Sequence, residues 1–302
     1  MVLECIDLHC DTLTTTFDKG LLLKNKETNF DFKFAEKCDR YVQNFAIWTK
    51  ENEQNKREYL ENVYQFALEQ FSQNKIDIIT DQADFNAKGK GVSALLSVEG
   101  CDFAESIEDV DWLYEKGFRV MSLCWNGKNK LAAGCNAVGG LTYFGRDFIN
   151  RMNKLKIPCD LSHLNEQSFF EVAECADKVL ATHSNIREIK NHSRNLNKDM
   201  LNLIKDKKGV IGLCFYPMFL KGDIYMSLLE NVYYLLTFGM EDCICLGSDF
   251  DGGEMDKKLS KTGDFLSLYN FFCEKIGSKS LVDKIFYKNA EKFIKEALTK
   301  GE

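Results

Sequence analysis

Eight short runs rich in Val, Ile, Leu, Cys and Phe recur along the chain, separated by longer stretches with apolar residues at helical spacing. This alternation constrains the fold more than any other feature. The runs are Leu3 to Asp11, Tyr41 to Thr49, Val92 to Glu99, Arg119 to Trp125, Ile157 to His163, Val179 to Ser184, Val210 to Tyr216 and Cys243 to Asp249. Between them lie amphipathic stretches at Arg57 to Gln73, Ile107 to Lys116, Phe144 to Leu155, Gln167 to Ala176, Lys198 to Lys207 and Leu228 to Phe238, and Leu281 to Leu298 reads as one closing helix. Strand followed by helix, repeated, predicts a parallel sheet, and near-continuous apolar strands suit a sheet covered on both faces. Eight units in 302 residues predict an α/β fold, a (β/α)8 TIM-type barrel filling a single domain over residues 1–302. No GxGxxG follows the first run, so the usual sign of an open dinucleotide-binding sheet is missing. Nothing Pro- or Ser-rich divides the chain, and with only two prolines the loops turn on glycine, as at Gly139-Gly140 and Gly252-Gly253.

Composition narrows the class. Hydrophobic residues at 45% and charged residues at 28% describe a chain that folds around a core. A net charge of −7, with no basic cluster, predicts no nucleic-acid partner. The opening MVLECIDLHCD has no positive leader and carries Glu4, Asp7 and Asp11, and no apolar run is long enough for a membrane span, so a cytoplasmic protein without a membrane anchor is expected. Twelve cysteines without a CxxC pair, many inside strand-like runs (Cys101, Cys124, Cys159, Cys214, Cys243, Cys245), read as reduced core residues.

In a barrel of this kind the active site lies at the carboxyl ends of the strands, so polar residues that terminate apolar runs are the candidates. The first run ends His9-Cys10-Asp11, where strand alternation puts the imidazole and the carboxylate on one face and Cys10 on the other. Glu99 ends the third run, His163 the fifth, His183 lies at the end of the sixth, and Asp249 ends the eighth. Three of the four histidines fall at such ends. Three imidazoles and two carboxylates suit Zn²⁺ or a similar divalent ion, and five ligands exceed one catalytic zinc site that keeps an open position. They fit two ions, with Glu99 as the bridging carboxylate and a shared activated water, which is hydrolytic chemistry. Asp249, across the rim, suits proton transfer to a leaving group; its other reading is a sixth ligand. Asp251, in the Gly-rich turn, is read as fixing that turn.

The stretches DLHCD, SVEG, GLTYFGRDFINRMNKLKIPCDLSH, ATHSN, NHSRNL and LGSDFDGG, in this order, resemble the membrane dipeptidase family of metallopeptidases, M19. The resemblance implies a barrel with two zinc ions, His9 and Asp11 on one, His163 and His183 on the other, Glu99 bridging, and Asp249 as catalytic acid and base. It implies that Arg194 grips the carboxylate of a free dipeptide substrate, a role for which a planar guanidinium is suited. It also implies tolerance of a D-residue at the second position and a homodimer. Where many members carry a histidine that contacts the substrate, this chain has Trp125, whose indole N–H is a donor available to an oxyanion. His192 matches no ligand and is read as a loop residue. The polar tail Lys295 to Glu302 offers no lipid-anchor signal.

Two other readings fit parts of the pattern. A different binuclear amidohydrolase, of lactonase or deacetylase type, would often begin HxH and place a bridging lysine after the fourth strand, whereas this chain has HxD and no lysine there. A catalytically weakened metal-binding homologue would account for Trp125 but has no need of Asp249.

Overall fold

A computed structural model describes residues 3–50, 53–87 and 89–298. The expectations of no leader and no anchor bear partly on the first two and last four residues, which lie outside that set. Eight parallel strands form a closed barrel: β1 (Glu4–Cys10), β2 (Arg40–Trp48), β3 (Val92–Glu99), β4 (Phe118–Ser122), β5 (Cys159–Asp160), β6 (Val179–Ala181), β7 (Val210–Leu213) and β8 (Ile244–Leu246). Each pairs with the next, and Asp7 of β1 against Leu246 of β8 closes the ring. Six of the expected runs contain their strand whole, and the other two strands begin one residue before the run, at Arg40 and Phe118. A two-residue strand, Asp77–Ile78, adds to the start of β3.

Alternation along the strands divides the core in two. Ile6, Leu8, Val42, Leu95, Val120 and Leu180 point into the barrel, while Cys5, Cys10, Tyr41, Phe45, Ala94, Leu96 and Val98 pack against the outer helices. The barrel floor is closed by the C-terminal segment, where Ala290, Phe293, Ile294 and Leu298 join the inner cluster. That segment was expected as one helix. It runs as Lys279–Asp283, a π turn at Lys284–Lys288, and Asn289–Ala297. The Asn289 side chain donates to the carbonyls of Glu241 and Ile244, which ties the helix beneath β8.

The other predicted helices appear, most within about a residue of the expected bounds; the one expected from Leu228 begins at Ile224, where Asp223 accepts from the N–H groups of Tyr225 and Met226. Four helices lie outside the expected stretches, the short Phe32–Ala35 and Gln82–Ala87 and two longer ones. Thr12–Asp18 contains three β-branched threonines after its first residue's own, which intrinsic propensity disfavours, and Thr16 Oγ1 bonds back to the Thr12 carbonyl at 2.6 Å. Phe265–Ile276 is too uniformly apolar in its first turns to display a clear helical period.

All twelve cysteines are unpaired and nine are buried, consistent with small core hydrophobes. No helix among the described residues is long and apolar enough to cross a membrane.

Candidate functional site

The register of β1 aims its polar end. Asp7 pairs with Gln43 and Cys10 with Phe45, so three steps along β1 match two along β2. This bulge lets Leu8 stay in the barrel and Cys10 outside it while His9 turns into the rim. Asp7, buried outside the barrel, accepts from the His9 and Ser248 N–H groups at 3.3 and 2.8 Å and from Ser248 Oγ at 2.6 Å. One buried carboxylate therefore ties the end of β1 to the loop that carries Asp249.

His9, Asp11, Glu99, His163 and His183 are all buried at the carboxyl end of the barrel, with Asp249 beside them. Glu99 lies between the imidazoles: Oε1 is 2.7 Å from His163 Nε2 and 3.8 Å from His183 Nε2, and Oε2 is 3.6 Å from His9 Nε2. His9 Nε2 also lies 3.5 Å from Asp11 Oδ2 and 3.9 Å from Asp249 Oδ1. The donor atoms of His9, Glu99 and His183 cluster tightly enough for one ion, as do those of His9, Asp11 and Asp249.

The outer nitrogens of two rings fix their tautomers. His163 Nδ1 is 2.8 Å from Asn126 Oδ1, an acceptor that favours the ring proton on Nδ1 and leaves Nε2, 2.7 Å from Glu99 Oε1, for a cation. Thr182 Oγ1 donates to Asp160 and so accepts from His183 Nδ1, at 2.9 Å. Both Nε2 atoms then carry lone pairs, and they face each other at 2.7 Å. Two facing lone pairs repel unless a cation lies between them, so this donor set fits a divalent metal. His9 Nε2 and Asp11 Oδ1 are buried with no protein partner, as expected of atoms that await a ligand.

Charge separates the groups. Burial, with the Arg194 guanidinium, lowers His163 to about 4 and holds His183 well below the usual imidazole range. Burial works in the same direction on His9, but Glu99 and Asp11 override it and raise that ring. Burial and Glu99 raise Asp11 well above the carboxylate range; burial also raises Asp249, to about 6, with His9 pulling the other way. Glu99 stays low despite burial, because His9 and His163 face it.

His163, Asp249 and Asp251 all have positive φ, at 71°, 63° and 68°. Such conformations cost on the order of 1–3 kcal/mol each and gather at functional sites. Gly252 is required beside them, since a Cβ there would come 2.4 Å from Asp11 Oδ2 and 2.5 Å from Asp249 Oδ1. Asp251 fixes the turn, as expected, accepting from Thr12 Oγ1 at 2.6 Å and the Asn29 N–H at 2.7 Å.

Above this floor opens a cleft of about 480 Å³, lined by Arg194 and Trp125 among others. Arg194 is buried; Nη2 donates to the His183 carbonyl at 3.2 Å, the guanidinium carbon is 5.4 Å from the Phe219 ring, and Nε has no partner. Trp125 lies with its ring 5.9 Å from that of His163.

The model of the membrane dipeptidase family, peptidase family M19, matches residues 2–301. The chain belongs to this family. A protein of Klebsiella pneumoniae, described only as an uncharacterized protein in the pqqA 5' region, is 30% identical over 217 residues, covering 66% of this chain and 80% of the relative. Among solved structures, a metallopeptidase of family M19 called dipeptidase AC superposes with a TM-score of 0.91 at 21% identity over 99% of both chains. A Rhodobacter sphaeroides metallopeptidase, bound to a phosphinate mimic of the dipeptide L-Ala-D-Ala, superposes with a TM-score of 0.86 at 21% identity over 98% of this chain and 100% of that one. These likenesses show the same barrel.

For a membrane-dipeptidase chain, several supporting residues had gone unassigned in the sequence. Asn126, Thr182 and Asp160 orient the imidazoles, and Cys214 Sγ lies 3.4 Å from Asp249 Oδ2. The one available signal was a polar residue inside or at the end of an apolar run, which burial obliges to find a partner.

Proposed function

We propose that this protein is a metal-dependent dipeptidase that hydrolyses free dipeptides, with two divalent ions, most simply zinc, held by His9, Asp11, Glu99, His163 and His183. The observation that carries this reading is the pair of Nε2 atoms facing each other at 2.7 Å beside a buried carboxylate that reaches all three rings. When bound, the ions supply Lewis-acid polarisation of the scissile carbonyl and lower the pKa of an attacking water.

The chain's own groups do the rest. Glu99 would contribute to holding both ions, and from its place between the three imidazoles it keeps the two sets of ligands in one frame. Asp249, exposed to the cleft and raised to about 6, holds the proton taken from the water and returns it to the leaving amine. Its free carboxylate oxygen faces the rim while Cys214 contacts the other. Arg194 has a buried unpartnered Nε and receives the substrate's terminal carboxylate, which separates a dipeptidase from an endopeptidase. Trp125 contacts the bound dipeptide from the wall beside His163. A D-residue at the second position is acceptable in this reading, supported by the L-Ala-D-Ala mimic carried by the Rhodobacter structure. Twelve unpaired cysteines suit a reducing, cytoplasmic setting.

The test is hydrolysis of L,L- and L,D-dipeptides by metal-loaded and metal-stripped protein, with C-terminally amidated dipeptides alongside. Metal-dependent cleavage of the free dipeptides and little cleavage of the amides is expected. Equal cleavage of both would replace this reading with a broader amidohydrolase.

A further inference from the structure

The cleft above the rim has a chemical character of its own. Trp48, at the end of β2, and Trp125, after β4, lie with ring centroids 5.0 Å apart and half-buried faces lining the cleft. Their backbones are fixed. The Trp48 N–H donates to Thr14 Oγ1 at 3.3 Å. Trp125 is wedged between two glycines: a Cβ on Gly134 would come 1.9 Å from the Trp125 carbonyl, and one on Gly100, whose φ is +85°, 3.2 Å from its nitrogen. Tyr216 and Phe219, with ring centroids 5.1 Å apart, also line the cleft, and Tyr216 leans over Gly253, where a Cβ would come 2.6 Å from its ring.

The charges available to a substrate side chain are few. Arg194 is the one Lys or Arg among the described residues that line the cleft. Away from the rim carboxylates, Asp18 is held by Lys50 at 2.7 Å and Tyr59 at 2.8 Å, and Asp251 by Thr12 and Asn29. Once Arg194 takes a terminal carboxylate, no second Lys or Arg of the lining is left for an acidic side chain, whereas an aromatic or large aliphatic one meets indole faces already in place.

We propose that the Trp48–Trp125 pair forms a side-chain subsite that selects dipeptides carrying an aromatic or large aliphatic residue and disfavours acidic ones. This deepens the dipeptidase reading and rests on it. The metal-loaded chain is assayed on Ala-Ala, Phe-Ala, Ala-Phe, Asp-Ala and Ala-Asp, each second residue in both configurations. At one of the two positions, kcat/KM for the phenylalanine substrate should exceed that for Ala-Ala by roughly ten- to a hundredfold, the scale of burying an aromatic side chain, and the aspartate substrate should fall below Ala-Ala. Trp125→Ala should shrink the phenylalanine-to-alanine ratio by about tenfold or more, and Trp125→Phe should keep most of it. Because each ratio is taken within one variant, general damage to the fold cancels.

A second readout does not need turnover. The chain has three tryptophans, and Trp112 packs away from the cleft against Phe103 and Arg57. In Trp112→Phe protein the emission comes from the subsite alone, and a non-hydrolysable phosphinate dipeptide with a benzyl side chain should perturb it at roughly ten- to a hundredfold lower concentration than one with a methyl group. Cleavage of dipeptides with no preference for phenylalanine at either position would overturn the subsite and leave the dipeptidase reading intact. Tight benzyl-analogue binding with no dipeptide cleaved would do the reverse. A Trp125→Ala effect equal on every substrate would also overturn the subsite.

Discussion

The two halves of the rim are built on different physics. On one side, His163 and His183 are held from behind by neutral hydrogen bonds, to Asn126 and to Thr182 backed by Asp160, which leave both Nε2 atoms unprotonated and facing. On the other, His9 faces Asp11, Glu99 and Asp249 within 3.9 Å, and its position comes from the main chain, through Asp7 and the β1 bulge. One half is a pair of preset neutral donors that lacks a positive charge; the other is an acidic group that holds excess negative charge around a single ring. A divalent ion relieves both. Glu99 belongs to both halves, and removing it is the strongest way to break the comparison. Glu99→Gln should lose about one equivalent of metal per chain or more and reduce dipeptide hydrolysis to the level of metal-stripped wild type, read by elemental analysis and assay. Retention of full metal would mean that the halves are independent.

Asp249 tests whether the acidic half divides its labour. Asp249→Asn should keep its metal while kcat falls by roughly two to four decades, the usual contribution of a positioned acid–base group. Loss of metal in this variant would make Asp249 a ligand with His9 and Asp11, a grouping the geometry also permits.

How much of this was legible in the sequence follows the same division. Strand alternation and strand ends are local, so the eight strands and the five converging donors could be read directly from the order of residues. The bulge could not, because it exists only in the pairing of Asp7 and Cys10 with Gln43 and Phe45. Asn126 is 37 residues from His163, and Asp160 is 22 from Thr182, so the bonds that set the tautomers depend on neighbouring strands meeting in space. Arg194 sits in a loop with no period to betray it, and only the family resemblance singled it out. The helix Thr12–Asp18 was hidden by its own threonines, whose weak propensity is overridden by packing.

Arg194 stands outside both halves and gives a smaller expected effect. Arg194→Ala should raise KM for a free dipeptide by roughly one to two decades, since charge-assisted pairing typically contributes about 1.5–3 kcal/mol and 1.4 kcal/mol is a decade. Amidating the substrate in the wild type should cost a comparable amount. The two losses should not add, because each removes the same contact. Additive losses would show that the guanidinium acts elsewhere, for example only in holding the His183 carbonyl.

The smallest effect, and the sharpest on the comparison itself, concerns Asn126. Its carbonyl oxygen receives the His163 proton at 2.8 Å and also lies 3.1 Å from Cys135 Sγ. In Asn126→Ala the ring keeps its place against Trp125 and Glu99, but the acceptor for Nδ1 is gone and Glu99 Oε1, 2.7 Å from Nε2, draws the proton to that nitrogen. A fraction of molecules then presents N–H where a lone pair is needed, and metal affinity should drop by about 10–100-fold, the range seen when a partner of a ligating histidine is removed. With metal in excess the ligand is pulled back to the binding tautomer by mass action, so activity should recover to within a few-fold of wild type. Asn126→Asp separates orientation from charge: it keeps an acceptor for Nδ1 and should bind metal at least as well as wild type. If Asn126→Ala needs no more metal than wild type to reach half activity, the preset tautomer is not what prepares this half of the rim, and Glu99 alone holds His163 in register.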